Sequence, residues 1–219
     1  MNFLQTRLIG RLPYAPALRM QEEAVAARAE DQVPDQLFLL EHDPVYTIGR
    51  QRDRSSLGGT PLPHPIEEIS RGGQATFHGP GQLVGYFVFD LQKLTPDLHL
   101  FLRWMEEGLI ALITDYGLDA RRREGLTGVW IGDRKIASIG VGVRKWITMH
   151  GFGLNVGSDL SGFASIIPCG ISGVTMTSLS RELGREIPVE DVATKAETIF
   201  TARYPLLSTP NPQPSTPQP

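Results

Sequence analysis

Cys169 is the only cysteine in the 219 residues of the chain, and its neighbours suit a nucleophile. A lone cysteine is most often a small buried hydrophobic residue. Here Pro168 precedes it and Gly170 follows it, which predicts a turn or bulge that exposes the sulfur. A thiol is mostly protonated at neutral pH and needs a nearby base or cation to become a thiolate. An activated Cys169 could take an acyl group from a thioester and pass it on.

Lys135 is the candidate partner of this thiol. It begins an apolar strand, and strict alternation would place its side chain on the same face as Ala137, Ile139 and Val141. A lysine that is partly desolvated at the end of such a strand can move protons. The alternative is a lysine in a solvated hairpin turn, a description that fits the neighbouring Arg134 better.

The segment 71–82 mixes glycines with polar side chains, namely Arg71, Gln74, Thr76, His78 and Gln82. Glycine lets the backbone approach a ligand closely, and the polar side chains can fix the orientation of that ligand. The segment has no P-loop pattern. Gly79, Gly81 and Gly85 miss the dinucleotide spacing and precede a strand-like run where that motif needs a helix. Tight turns alone would explain a bare glycine pair but not this mixture, so the segment predicts a binding loop.

Other polar residues give weaker signals. The five histidines are His42, His64, His78, His99 and His150. Their spacing is not that of metal ligands, and the chain has no second cysteine that could complete a metal site with them. We read each as a surface or hydrogen-bonding residue, except His78, which lies within the glycine-rich segment. We therefore expect neither a metal nor a cofactor. The run 121–123 of three arginines predicts a solvated face, with a docking patch for an acidic partner as the alternative.

Composition restricts the class of protein. A net charge of −3 and a pI near 6.0 give no sign of a nucleic-acid partner. One cysteine excludes an internal disulfide and fits a reducing compartment. The first residues predict no secretory signal, and no apolar run approaches the roughly 18 residues of a membrane-spanning helix. We expect a cytoplasmic protein with one domain over 1–207 and a disordered Pro-rich tail over 208–219.

Three helices are predicted, each with a proline at or near its first turn. The first covers 16–29, the second has Thr95 as its N-cap and stops at Gly117, and the third runs from near Pro188 to before Pro205. The predicted strands are 36–41, 45–48, 83–91, 129–131, 135–143 and 147–156, with a hairpin turn over 132–134. Strands outnumber helices without regular alternation. This favours an α+β or mixed α/β fold with a largely antiparallel sheet.

Five motifs in order resemble the octanoyl-[acyl-carrier-protein]:protein N-octanoyltransferases, also called lipoyl(octanoyl) transferases. The resemblance covers about 36–179 and rests on the segments 41–49, 71–82, 132–140, 151–155 and 168–171. One departure is Phe77, where tyrosine is common in the family, and a missing hydroxyl there should not affect the chemistry. The resemblance implies a single domain with the fold of the biotin and lipoate protein ligase catalytic domain, a mixed sheet with packed helices.

The family also implies roles for particular residues. Cys169 would carry the acyl group, and Lys135 would activate it. The residues implied to line the acyl pocket are Arg71, Gly72, Gly73, Gln74, Ala75, Thr76, Phe77, His78, Ser138, Ile139, Gly140, Gly151, Phe152 and Gly153. The donor would be octanoyl-acyl carrier protein. The acceptors would be lysines on the lipoyl domains of 2-oxoacid dehydrogenase complexes and on the glycine cleavage H protein. Because the donor is already activated, this monomeric enzyme would need neither ATP nor a metal.

Four alternatives remain open at the level of sequence. An ATP-dependent lipoate or biotin ligase of the same fold would need a catalytic lysine but no acyl-carrying cysteine. An amidotransferase would move octanoyl groups between lipoyl-bearing proteins through a cysteine. A non-catalytic acyl-binding protein would use the same pocket without turnover. A hydrolase would use Cys169 with His78 or His150 as its base.

Overall fold

A large mixed sheet organises the chain in the computed structural model, which describes residues 3–50, 54–57, 61–171 and 173–207. The strands of this sheet are β1 (Leu4–Leu12), β2 (Asp35–His42), β6 (Gln82–Val88), β7 (Ala120–Arg123), β8 (Leu126–Ile131), β9 (Arg134–Arg144), β10 (Ile147–Asn155) and β11 (Thr175–Met176). Their order is β1-β2-β6-β10-β9-β8-β7, with β11 beside β9. Within this sheet, the β1–β2 and β11–β9 pairs are parallel, and the other pairs between the described strands are antiparallel. The predicted mixed, largely antiparallel sheet is therefore confirmed. The predicted tail at 208–219 lies outside the described residues.

A smaller sheet holds the glycine-rich segment. It contains β3 (Val45–Ile48), β4 (Ile66–Glu68) and β5 (Thr76–His78), in the order β4-β3-β5. The backbone joins the segment to both sheets, since its β5 pairs with β3 and Gly72 N–H donates to Val141 O (2.9 Å) on β9. The segment is thus fixed against β9, the strand that carries Lys135.

The α-helices within the described residues are α1 (Tyr14–Ala29), α2 (Leu98–Thr114), α3 (Leu179–Leu183) and α4 (Val189–Arg203). Helices α2 and α4 share one hydrophobic core with the sheet, and α1 packs in a separate cluster. A Cβ on Gly108 would lie 2.3 Å from the Phe200 ring, so glycine there permits the close contact of α2 with α4. None of the described helices is long and apolar enough to cross a membrane.

Most predicted elements are confirmed, with changes at their ends. Helix α1 begins at Tyr14, and the strand predicted over 83–91 is β6, which ends at Val88. The prediction of Thr95 as the cap of α2 was wrong, because the side chain of Asp97 accepts the N–H groups of His99 (2.8 Å) and Leu100 (3.1 Å). The Asp97 carboxylate lies next to the first turn of α2. It therefore reaches the free N–H groups of that turn better than the Thr95 hydroxyl, which is two residues further away.

The short elements β4, β5, β7, β11 and α3 were not predicted from the sequence. The sequence did not predict β1, an edge strand whose side chains are half-buried or exposed and so lack apolar alternation. At the opposite edge, the arginines at 121–123 in β7 are exposed, as predicted. The hairpin between β8 and β9 is also confirmed, with Ile131 paired to Arg134 across a two-residue turn.

Candidate active site

Cys169 lies at the centre of a tight 3₁₀ turn, Pro168–Gly170, and is half-buried. Its backbone is left-handed (φ 57°, ψ 16°), a conformation that is uncommon for a residue with a Cβ. The Cys169 N–H donates to Ala75 O (2.9 Å), so the glycine-rich segment holds the turn. A Cβ on Gly170 would lie 1.8 Å from Gln74 Oε1, which explains the glycine after the cysteine. The predicted turn at the cysteine is therefore confirmed.

Lys135 meets this sulfur from β9. Its side chain is almost completely buried (2% exposed), so the alternative of a solvated hairpin lysine was wrong. The Nζ atom donates to Thr127 O (3.0 Å) and to Cys169 Sγ (3.4 Å), and it lies 5.4 Å from the centre of the Trp130 ring. Neighbouring Arg134 instead forms a two-pronged ion pair with Glu182 at the surface.

A β-bulge sets the direction of Lys135. Trp130 pairs with Lys135 while Val129 pairs with Ala137, so β9 has one extra residue at Ile136. The expected alternation of Lys135 with Ala137 was therefore wrong. The Lys135 side chain reaches the same sulfur as that of Ser138, whose Oγ is 3.6 Å from Cys169 Sγ. Without the bulge, residues three apart on a strand would point to opposite faces.

Gly128 makes room for the buried lysine. Its φ of 125° disfavours any residue with a Cβ. An added Cβ would lie 2.6 Å from Ala137 O and 2.8 Å from Lys135 Cε. Sequence analysis did not single out this glycine, because the lysine it accommodates is seven residues away on the next strand and is brought to it only by strand pairing.

Cys169 and Lys135 both line a cavity of about 410 Å³. Twelve of the fourteen residues expected around an acyl pocket also line it: Arg71, Gly72, Gly73, Gln74, Thr76, His78, Ser138, Ile139, Gly140, Gly151, Phe152 and Gly153. Ala75 and Phe77 do not. Alternation along β5 puts Phe77 on the other face from Thr76 and His78, against Tyr46 and Phe163. Ala75 instead supplies the carbonyl that anchors the cysteine turn.

Distant elements complete the lining of the cavity. The added residues are Tyr14, Ile69, Gln82, Tyr86, Leu98, Leu102, Gly125, Leu126, Thr127, Val141, His150 and Ile171. Leu98 and Leu102 lie one helical turn apart on α2 and are half-buried. The signal available in the sequence was the apolar pattern of this helix, and such a pattern does not separate a core contact from a cavity wall.

Arg71 brings a buried positive charge to the cavity. Its guanidinium donates to Thr47 O (2.9 Å), to Thr47 Oγ1 (2.8 Å) and to Gly72 O (2.9 Å). All of these oxygens are neutral, and among the described residues no carboxylate pairs with this arginine. Burial lowers the pKa of Arg71, while the nearby Tyr14 and Cys169 oppose that shift. The charge therefore remains available to an electron-rich group in the cavity.

Two histidines of the cavity are buried and neutral. His78 Nδ1 lies 2.7 Å from Gln82 Oε1, and burial, with help from His42, lowers the pKa of His78 to about 3. Burial and the charge of Arg71 lower the pKa of His150 to about 3 as well. Both ring nitrogens of His150 lack a partner among the described residues.

The sulfur has no histidine partner within the described ranges. Its hydrogen-bond partners there are Lys135 and Ser138, and His78 and His150 are not among them. This arrangement gives no support to a cysteine–histidine hydrolase. In the same part of the chain, no group of three or more His, Cys, Asp or Glu side chains could hold a metal ion.

The fold and the cavity place the chain in a known class. Residues 13–201 match the family model described as "Lipoyl protein ligase A/B catalytic domain". A bipartite lipoate protein ligase from Thermoplasma acidophilum has a similar structure (TM-score 0.73, 17% identity), over 93% of this chain and 84% of that one. A biotin protein ligase from Aquifex aeolicus is more distant (TM-score 0.51, 14% identity), over 94% of this chain and 70% of that one. The predicted fold class is therefore confirmed.

Comparison of sequences identifies the branch of this class. The octanoyltransferase of Geobacter metallireducens is 47% identical over 215 residues, which cover 96% of this chain and 100% of that protein. The chain belongs to the octanoyltransferase family. It is an acyltransferase, and the resemblance seen in its motifs is confirmed.

Proposed function

We propose that the protein transfers an octanoyl group from octanoyl-acyl carrier protein to a lysine of a lipoyl domain, through a thioester on Cys169. The name of its relatives supports octanoyl transfer. One observation carries the proposed route: Cys169 Sγ lies 3.4 Å from Lys135 Nζ at the wall of the cavity. Nucleophile and base at this separation are the arrangement that covalent acyl transfer requires.

In the first half-reaction, the thiol proton of Cys169 passes to the amine of Lys135. The thiolate attacks the carbonyl carbon of the octanoyl thioester, and a new carbon–sulfur bond forms. The bond to the carrier's phosphopantetheine sulfur then breaks, and that sulfur takes the proton back from Lys135. The exchange replaces one thioester by another, so it is nearly balanced in free energy and needs no ATP.

In the second half-reaction, the ε-amine of the acceptor lysine attacks the octanoyl carbonyl carbon on Cys169. Lys135 accepts the proton that the amine loses and returns it to the departing Cys169 sulfur. The products are an amide on the acceptor and the free thiol enzyme. Because an amide is more stable than a thioester, this step drives the transfer forward.

The cavity suits a thioester of an unbranched acyl chain. Aliphatic and aromatic walls are supplied by Leu98, Leu102, Ile139, Val141 and Phe152. Three glycines on β9 and β10, at 140, 151 and 153, line the cavity with backbone atoms alone. A Cβ on Gly153 would lie 2.8 Å from Gln82 Oε1, so a larger residue there would intrude on the site.

The wider proposal follows the family. The acceptors would be the lipoyl domains of 2-oxoacid dehydrogenase complexes and the glycine cleavage H protein, and the reaction would be the first step of endogenous lipoylation. We propose the cytoplasm as its location, since a single half-buried thiol suits a reducing compartment.

The test is intact mass spectrometry after brief mixing with octanoyl-acyl carrier protein in the absence of ATP. We expect an octanoyl adduct that peptide mapping assigns to Cys169, and that moves to a lysine when a lipoyl domain is added. Lys135→Ala should slow formation of the adduct by a factor on the order of 10² or more. Lys195→Ala serves as the control, because Lys195 lies on α4 in an exposed pair with Asp115.

Three other outcomes would point to the alternatives. Transfer that requires ATP and free octanoate, without an adduct on Cys169, would replace the proposal with a ligase. An adduct that forms from an octanoylated lipoyl protein but not from the acyl carrier protein would indicate an amidotransferase. Binding of octanoyl groups with neither adduct nor transfer would indicate an acyl-binding protein.

A further inference from the structure

Glu106 is a buried carboxylate that the proposed reaction does not use. It lies on the core face of α2 and is 1% exposed, between apolar residues such as Met105 and Leu109. Burial of a carboxylate among hydrophobic side chains is costly unless hydrogen bonds satisfy its oxygens. Oε2 accepts a bond from Arg103 Nη1 (2.7 Å), whose side chain is half exposed. The other oxygen points into the protein.

That inner oxygen reaches the strand next to the candidate catalytic lysine. Glu106 Oε1 accepts the N–H of Gly128 (3.0 Å) on β8. The N–H of Gly128 and the C=O of Thr127 belong to the same peptide unit. Thr127 O is the atom that accepts Lys135 Nζ (3.0 Å), and the same Nζ donates to Cys169 Sγ (3.4 Å). One rigid peptide therefore links the Glu106 carboxylate to the lysine and, through it, to the sulfur.

This linkage has two physical consequences. Because a peptide unit is planar, fixing its N–H also fixes the direction of its carbonyl oxygen. Because neighbouring hydrogen bonds polarise one another, a carboxylate on the N–H side makes the carbonyl a stronger acceptor for Nζ. Gly128 has no Cβ and adopts a φ of 125°, so side-chain sterics restrict this peptide little. The hydrogen bond from Gly128 N–H to Glu106 Oε1 helps to hold it in one orientation.

We propose that Glu106 is a positioning residue for Lys135: it holds the Thr127–Gly128 peptide so that Thr127 O keeps the Lys135 amino group against Cys169 Sγ. The inference rests on the proposed role of the Cys169–Lys135 pair and adds to it a residue on a different element. Glu106 itself is neither a hydrogen-bond partner of the sulfur nor one of the residues that line the cavity.

Three substitutions separate positioning from other roles. Glu106→Gln keeps an oxygen at the same reach and should retain most of the rate, within about threefold. Glu106→Asp keeps the charge but is one methylene shorter, and Glu106→Leu keeps the volume without any acceptor. Both should slow acylation of Cys169 by roughly tenfold to 10², the usual cost of misplacing a catalytic group by about 1 Å. The KM for the octanoyl donor should not change, because Glu106 does not line the cavity.

The deciding measurement is a double-mutant cycle with Lys135→Ala, read by single-turnover acylation of Cys169 and by its alkylation with iodoacetamide. If Glu106 acts through Lys135, Glu106→Leu should add no further loss in the Lys135→Ala background. Two controls accompany the cycle. Glu107→Gln, at an exposed position on the same helix, should leave the rates unchanged. Leu109→Ala should lower stability without lowering the rate of the folded enzyme.

Several outcomes would overturn the inference. Additive losses in the cycle would reduce Glu106 to a structural anchor between α2 and β8. Glu106→Asp being faster than Glu106→Gln would show that charge, and not position, matters. If Glu106→Leu does not fold, the comparison of Asp with Gln decides the matter alone. If Lys135→Ala slows neither reaction, the Cys169–Lys135 pair itself fails, and this result is distinct from an additive cycle.

Discussion

The left-handed backbone of Cys169 predicts a conflict between activity and stability at the nucleophile. A φ of 57° is a conformation that glycine adopts without penalty and that other residues resist. The two substitutions to compare are Cys169→Ala and Cys169→Gly. Both remove the sulfur and should abolish acyl transfer, but only the second relieves the backbone.

The expected difference follows from two opposing terms. An L-residue in the left-handed region costs about 1–2 kcal/mol. Glycine loses more backbone freedom on folding than alanine, which costs about 0.4–1 kcal/mol. Cys169→Gly should therefore be more stable than Cys169→Ala by about 1 kcal/mol. For a domain of this size, that difference raises Tm by about 2–4 °C.

The assay is urea denaturation followed by fluorescence of the three tryptophans, with thermal unfolding as a second measurement. Ala164→Gly is the matched control, since Ala164 lies in the 3₁₀ helix Ser161–Ser165 without a positive φ. There the same change from alanine to glycine should cost about 0.5–1 kcal/mol. If Cys169→Gly is no more stable than Cys169→Ala, the turn that presents the nucleophile is not strained and the reasoning fails.

Two further predictions concern the surroundings of the pair. Gly128→Ala should lower stability by about 1–3 kcal/mol and slow Cys169 acylation about tenfold or more, because the new Cβ would collide with the Lys135 side chain. Gly117→Ala is the control, because Gly117 also has a positive φ but has open space around it; this change should lower stability without slowing acylation. Full activity of Gly128→Ala would contradict the argument. Acid should destabilise the protein, because His78 and His150 have folded pKa values of about 3, below the value of about 6.5 for the unfolded chain. Between pH 6.5 and 3 the unfolded chain binds more protons, so the free energy of unfolding should fall by up to about 1.4 kcal/mol per pH unit for each histidine. Urea denaturation at pH 7, 6 and 5 measures this slope, and a His150→Leu variant with an unchanged slope would refute the assignment.

Local patterns in the sequence predicted much of the fold. The apolar stripe of α2, the proline before α4 and the two-residue turn at 132–133 act over distances of a few residues, so their signals are readable from sequence alone. Local patterns predict the ends of helices and strands less well. Asp97 and Thr95 are both good caps, and only the three-dimensional path of the chain decided between them.

The sequence by itself determined which residues could do chemistry. A lone cysteine beside a glycine, a lysine at the start of an apolar strand and a glycine-rich polar segment were enough to indicate acyl transfer and the family. These signals depend on residue type and order, and the linear sequence contains both.

Only the tertiary structure decided how these residues meet. The bulge at Ile136 turns Lys135 toward the sulfur, and such a bulge depends on the register with β8, which periodicity along one strand does not reveal. In the same way, the sequence shows Glu106 only as a charged residue among the apolar residues of α2. Its Oε1 atom gains a hydrogen-bond partner only because folding brings the N–H of Gly128, 22 residues later in the chain, within 3.0 Å. Contacts between residues far apart in the chain depend on how elements pair and pack, so the geometry of the site lies beyond what local sequence can specify.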